Sequence, residues 1–237
     1  MAGTLTNVAT QLYEDIAIGV FAFGCKLAEE RLAERYETKR HVIRDAFVHL
    51  EVIGYVERIP NRGVFVSEPS PKTVREVYEV RAVLEKHAAR HTALPAPVKT
   101  TDRMMAIQDQ HTKAFHNSDF RAVLRLNSEF HRTQFSACRN ETLAGAIREF
   151  ARSTHQITAL KFGHEADMMK IIDQHFAIIR AMQGNCNDRL VDAIVEHFNL
   201  RRVEEYAALY QSRHGNGGHS ETVSREGERR SPPIPPE

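Results

Sequence analysis

No stretch of this 237-residue chain is apolar for long enough to cross a bilayer. The longest nearly apolar run, Ile16 to Cys25, spans ten residues and holds two glycines, against the roughly 20 residues a spanning helix needs. The first residues lack a basic segment followed by a hydrophobic block, so no secretory signal is expected. Cysteine is scarce: Cys25, Cys138 and Cys186 are odd in number, far apart and never in a C-x-x-C pair. That argues against a disulfide framework or a cysteine zinc cage and fits a reducing cytoplasm. Neither charge dominates, with 32 Lys and Arg against 31 Asp and Glu, so no bulk basic field advertises nucleic acid. The rest is ordinary globular material, 42% hydrophobic and 27% charged, enough for a sizeable core and against wholesale disorder. Histidine alone is plentiful: nine of the thirteen fall between residues 71 and 210, consistent with metal binding, pH sensing or neither.

A Pro/Ser break at 67–73, Ser-Glu-Pro-Ser-Pro-Lys-Thr, separates two differently patterned halves, and no helix is expected to run through it. Beyond it, Val74, Val77, Leu84, Leu124, Phe130, Phe135, Ile171, Ile172, Phe176, Ile179 and Met182 recur at helical spacing, and nothing from 74 to 210 alternates as a strand would. A second break, Leu94-Pro-Ala-Pro97, ends the first of these helices. From Gln211 the chain is Gly, Ser, Arg, Glu and Pro with almost no apolar residues, a composition expected to be disordered. The expected organisation is therefore 1–68 as one module, 69–73 as linker, 74–210 as an all-α domain and 211–237 as a tail. The fold class is mostly α, with one small β-hairpin.

In the first module, Leu5, Val8, Leu12 and Ile16 form one helical stripe, and Leu27, Leu32, Ala33 and Tyr36 suggest a short second helix. Glu37-Thr38-Lys39 reads as a tight turn with Thr38 a possible cap. A third helix, about Lys39 to Ile53, puts Ile43, Ala46, Phe47, Leu50 and Ile53 on one face, with His41, Val48, Arg40 and Arg44 around the other side. That is helix-turn-helix geometry. Tyr55 to Ile59 and Val64 to Val66, joined by Pro60-Asn-Arg-Gly63, read as a hairpin wing.

These features resemble the GntR family of winged-helix regulators. The residues that carry the resemblance are Gly19, Gly24-Cys-Lys-Leu27, Leu32-Ala33, Arg40-His-Val-Ile-Arg44-Asp45-Ala46-Phe47, Leu50 with Gly54, and Pro60-Asn-Arg-Gly63. Phe23, Lys39 and Val42 stand where the family usually has Pro, Ser and Thr-Pro. Residues 1–70 hold eight Lys and Arg against ten Asp and Glu, so placement rather than bulk charge must make the DNA contact. Lys39, Arg40, His41 and Arg44 gather at the start of the recognition helix, and Arg62 and Gly63 sit at the wing tip. Arginine suits both phosphate contacts and guanine readout there. Glu29, Glu30 and Glu34 are expected to face away from phosphate. The implied partner is double-stranded operator DNA, bound by a homodimer.

In the second half, Asn127 and His131 lie four apart and so share a helical face, while His175 and His197 lie on later helices. Inward polar groups on facing helices are where bundles build metal sites. Three histidines and an oxygen suit a borderline divalent ion such as zinc, nickel or manganese. The segments Tyr78-Glu-Val-Arg81-Ala-Val-Leu84-Glu85, Asn127 to His131, Arg139-Asn140, His175 to Ala181 and Glu196-His197 resemble the all-α FCD effector domain of FadR-type GntR regulators. The resemblance implies a metal held by Asn127, His131, His175 and His197, with a small carboxylate effector completing the sphere. Asn127 stands where Asp is common. Arg81 could clamp that carboxylate through two hydrogen bonds or pair with Glu85. His87, His91, His155 and His164 read as surface or pocket residues. The expected function is a ligand-responsive transcriptional regulator of a metabolic operon, most simply a repressor. The alternative is a metal-dependent enzyme, since an ion with open positions could activate water, although no H-E-x-x-H or general base is evident.

Overall fold

The structure, a computed structural model, describes residues 7–198 and 201–215. Helix α1 (Asn7–Ala17) buries Ala9, Leu12, Tyr13, Ile16 and Ala17; Leu5 of the expected stripe lies outside the described residues. Strand β1 (Lys26–Leu27) follows, then α2 (Glu29–Arg35) and α3 (Arg40–Val52). Strands β2 (Val56–Ile59) and β3 (Gly63–Val66) form the hairpin. The sheet is antiparallel in the order β1-β3-β2, with Leu27 opposite Val64, Val56 opposite Val66 and Ile59 opposite Gly63.

Three expectations need correction here. Leu27 is a buried strand residue rather than part of the second helix; α2 starts at Glu29, where two glutamates in the first turn suit the positive end of the helix dipole. Thr38 is not a cap, because Lys39 occupies the N-cap position of α3 and makes no side-chain cap hydrogen bond. Pro71 does not exclude a helix but opens one. Ser70 caps α4 (Pro71–Arg90) by accepting from the Thr73 amide at 3.1 Å, and proline's fixed φ suits a first helical position, where no N–H is needed.

The remaining elements are helices: α5 (Val98–His116), α6 (Phe120–Ser136), α7 (Glu141–Arg152), α8 (His155–Ala159), α9 (Glu165–Gln183), α10 (Asn187–Phe198) and α11 (Arg201–His214). Asp119 and Asn140 cap α6 and α7 by accepting from the amides of Ala122 and Leu143. Helix α5 packs on α6 and α9, while α10 packs on α4 and α9. Met104, Phe130, Ile147, Ile178, Ile179 and Met182 fill the space between them. Helix α11 runs four residues past the expected boundary at 210. Its last turn is held by an ion pair from Arg213 to Glu68 and a hydrogen bond between His214 and Glu68, each at 3.0 Å, and Tyr206 donates to the Pro69 carbonyl at 2.6 Å. Residues 216–237 of the expected tail lie outside the described residues. Among the described residues no helix is long and apolar enough to cross a membrane.

Head and bundle share a core. Leu12 and Ile16 of α1 belong to the same buried cluster as Val123, Leu124, Phe162, Met168 and Ile171. The seam also carries polar ties. Asp15 is fully buried and accepts from Tyr36 at 2.8 Å, from Arg35 at 3.3 Å and from Arg121 of α6. Tyr55 donates to the Arg152 carbonyl at 2.7 Å, and the Tyr13 hydroxyl meets His155 Nδ1.

Candidate functional site

The first site is the exposed side of α3 and the wing tip. Lys39, Arg40, His41 and Arg44 are all exposed on the first turns of α3, and Arg62 and Gly63 are exposed at the hairpin tip. Asn61 at φ +60° and Gly63 at φ +108° make that tip, and a Cβ on Gly63 would crowd the Lys26 side chain at 3.3 Å. The Arg62 guanidinium rests 5.5 Å from the centre of the Phe65 ring. Glu29 and Glu30, expected to face away from phosphate, lie against two of these basic residues. Arg44 pairs with Glu29 at 2.8 Å and Arg40 pairs with Glu30. The first turn of α2 lies beside the first turn of α3, and with no phosphate present these carboxylates are the nearest counter-charge. Such exposed pairs contribute only about 0.2–1 kcal/mol, so they are readily exchanged.

The second site lies in the bundle. Side-chain nitrogens of His131 (α6), His175 (α9) and His197 (α10) all lie within 4.8 Å of one another. Each of these histidines turns Nδ1 to a glutamine carbonyl: His131 to Gln134 at 3.0 Å, His175 to Gln108 at 2.5 Å and His197 to Gln174 at 3.3 Å. Two of those amides are fixed from behind. Gln174 Nε2 donates to the Glu196 carbonyl, and Gln108 Nε2 donates to Thr112 Oγ1, whose own proton goes to the Gln108 carbonyl. An amide oxygen only accepts, so the histidine Nδ1 atoms must carry the protons and the Nε2 atoms must present lone pairs. Burial holds His131 down to about 4 and His175 and His197 well below the usual histidine value, so all three are neutral at pH 7.

Two bare lone pairs, His131 Nε2 and His197 Nε2, therefore sit 3.1 Å apart, and His175 Nε2 is fully buried with no hydrogen-bond partner among the described residues. A cation relieves both defects, since it is the species three converging imidazole lone pairs bind. Asn127 lies one turn before His131, is buried, and its carboxamide has no protein partner among the described residues. The residues present thus fit a divalent ion. The glutamines escaped the sequence reading, although Gln174 directly precedes His175 and Gln134 lies one turn after His131.

Asn127, His131 and His197 line a cavity of about 810 Å³, within the usual range for small-ligand sites. Arg81 lines it, yet is already engaged: Nε and Nη2 donate to Glu85 at 3.0 and 2.8 Å, Nη1 donates to Thr154 at 2.7 Å, and its guanidinium lies 4.6 Å from the Phe198 ring centre. Of the two readings of Arg81, the structure shows the pair with Glu85. The Tyr78 hydroxyl in the same wall is buried without a partner among the described residues. Arg202 also lines the cavity, and its charge helps to hold His131, His175 and His197 neutral; nothing in its sequence context singled it out. Tyr13 and Glu14 of α1 reach the same cavity, so the head supplies part of its wall. Of the other histidines, His87, His91 and His164 are exposed, while His155 is buried against the cavity.

Residues 4–66 match the family model described as bacterial regulatory proteins, gntR family, and residues 76–200 match the FCD domain. The chain is 24% identical over 196 residues to the HTH-type transcriptional repressor RspR of Escherichia coli (strain K12), covering 82% of this chain and 84% of RspR. It is 26% identical over 197 residues to the Exu regulon transcriptional regulator of the same strain, covering 74% of each. Among solved structures, E. coli McbR/YncC shares the fold at a TM-score of 0.70 and 16% identity, over 87% of this chain and 96% of that one. A GntR regulator from Rhodococcus sp. RHA1 does so at 0.66 and 20% identity, over 88% and 97%. The enzyme alternative is set aside, because the matched family is one of regulatory proteins and these relatives are named as transcriptional regulators. With both models matched in order and the second alone covering more than half of the residues, the chain belongs to the GntR family of bacterial transcriptional regulators, with an FCD domain behind its DNA-binding head.

Proposed function

We propose that this regulator is a cytoplasmic homodimeric repressor that binds its operator through Lys39, Arg40, His41, Arg44, Arg62 and Gly63. Its helical domain senses a small organic acid at a divalent ion held by Asn127, His131, His175 and His197. The observation that carries the sensing half is the trio of glutamine-locked imidazoles, whose lone pairs converge with no proton between them. When bound, a zinc, nickel or manganese ion supplies a positive centre for an acid's oxygens. With three neutral imidazoles and a neutral amide around it, the site keeps that full charge and favours an anion. Arg81 and Arg202 stand in the same cavity wall to orient the acid. A repressor role is in keeping with the name of RspR, and acid binding would shift the population of head arrangements that fit the operator.

The test combines metal analysis with thermal shift. Freshly purified protein is expected to carry a divalent ion. His175→Ala and His197→Ala should abolish it and remove the stabilisation by added zinc, nickel or manganese, since an ion that binds only the native state stabilises it. An organic acid, but not a matched neutral sugar or amine, should then raise the melting temperature and change operator affinity. Protein that holds no ion under any of these conditions would reject the metal site.

A further inference from the structure

Six arginines and four glutamates line the cavity, an excess of two positive charges before any ion is added. These cations lie on different elements. Arg202, at the start of α11, influences the histidine cluster. Arg125 comes from α6, and Arg148 and Arg152 stand four residues apart on one face of α7, which carries none of the four candidate metal ligands. Arg152 acts on Tyr13, Tyr55 and His155 at the seam with the head. Among the described residues Arg148 and Arg152 have no ion pair. Arg125 has one, at 3.3 Å to Glu14, a carboxylate that α1 inserts from the DNA-binding head with its side chain only 5% exposed. Glu14 is therefore an acid group of the head already seated on a cation of the ligand cavity.

We propose that the effector is a small dianion, one acid group at the histidine cluster beside Arg202 and the second at Arg125, Arg148 and Arg152, where it competes with Glu14. This rests on the acid-sensing reading above and adds the second charge. It also supplies the link to the head, because the far acid group takes over a cation that α1 otherwise holds. The Glu14 carboxyl, pushed up by burial despite Arg125, is weakly compensated where it sits and is the natural group to be displaced.

The test is calorimetric titration of the zinc-loaded full-length protein with matched pairs: glutarate against pentanoate, malate against 3-hydroxybutyrate, and 3-phosphoglycerate against glycerate. The last pair separates a phosphate far group from a carboxylate one. In at least one pair the compound with two acid groups should bind tenfold or more tightly than its partner with one. Arg148→Gln combined with Arg152→Gln should erase that advantage while monoanion affinity stays within twofold. Glu14→Gln, which removes no cation, should tighten the dianion threefold or more and leave the monoanion unchanged. Equal affinity within every pair, or an advantage that survives the double arginine variant, overturns the dianion inference and leaves the acid-sensing reading standing. Failure of every acid to bind overturns both.

Discussion

Arg40 and Arg44 are held by glutamates of α2 in the DNA-free chain, so binding DNA exchanges a carboxylate for a phosphate or a base edge. Losing a bidentate base contact costs about 1–3 kcal/mol, and Arg44→Ala is expected to weaken operator binding at least several-fold with the fold intact. Glu29→Gln should act oppositely, strengthening binding by up to about 1 kcal/mol because an exposed pair of that worth no longer has to be broken. Fluorescence anisotropy at one fixed salt concentration measures both, and weaker binding by Glu29→Gln would make the glutamate a DNA-orienting residue instead. His155 offers a separate residue-scale prediction. Burial first, then the charges of Arg81, His131 and Arg152, hold it down to about 3, and the Tyr13 hydroxyl is its ring partner. The unfolded chain takes up a proton near pH 6.5 that the folded chain refuses, so stability is complete above that pH and falls as pH drops toward 3. One such proton changes stability by about 1.4 kcal/mol per pH unit. The other buried histidines push the same way, so His155→Gln should flatten the slope between pH 6 and 4 by one proton's worth without abolishing it, as read from urea melts at each pH. A third prediction concerns the ligand supports: Gln134→Leu frees the His131 ring to turn, and loss of such an outer partner typically costs about 10–100-fold in metal affinity. Competition with a chelator gives the measure.

Helix α3 begins without a side-chain cap, because Lys39 has no acceptor to offer the free amides of the first turn. Its backbone, at φ −90° and ψ 150°, already suits a capping residue, so Lys39→Ser should stabilise the protein by about 1 kcal/mol. The thermal midpoint should rise, while operator affinity drops if the lysine contacts phosphate. At this scale the sequence was legible wherever one face repeats. The buried set Ile43, Ala46, Phe47 and Leu50 and the long bundle helices follow from a 3.6-residue period, and Pro60-Asn-Arg-Gly63 announces the wing. Strand β1 was not legible, since two residues cannot show an alternation and Leu27 is assigned only by its pairing with Val64. The start of α4 was misread because proline stops a helix from within yet opens one from its first position. The convergence of His131, His175 and His197 was legible from histidine spacing together with family resemblance. Their glutamine supports were not, because a neutral amide carries no spacing rule and Gln108 arrives from a separate helix.

At the scale of the whole molecule, the boundary drawn through the sequence at 67–73 does not divide the core. Leu12 and Ile16 of the head are buried in one cluster with Leu124, Phe162 and Met168 of the bundle, and Asp15 ties Arg35 and Tyr36 of the head to Arg121 of α6. A shared core makes the head's unfolding expose part of the bundle's apolar surface, so the two parts should melt together in a single calorimetric transition. The polar ties decide how tightly they are joined. Hydrogen bonds to a charged group contribute about 1.5–3 kcal/mol, and the arginines Asp15 holds are themselves more than a third exposed, so Asp15→Asn should cost an amount in that range rather than unfold the protein. Arg35 and Tyr36 are head residues and Arg121 belongs to the bundle, so the loss falls on the head and on its seam; the head should therefore melt first in this variant and the single transition should divide into two. Two transitions in the wild-type protein would show the apolar cluster to be too weak to couple the parts. A single lowered transition in Asp15→Asn would assign the coupling to Leu12, Ile16 and their apolar neighbours, with the buried carboxylate contributing stability alone.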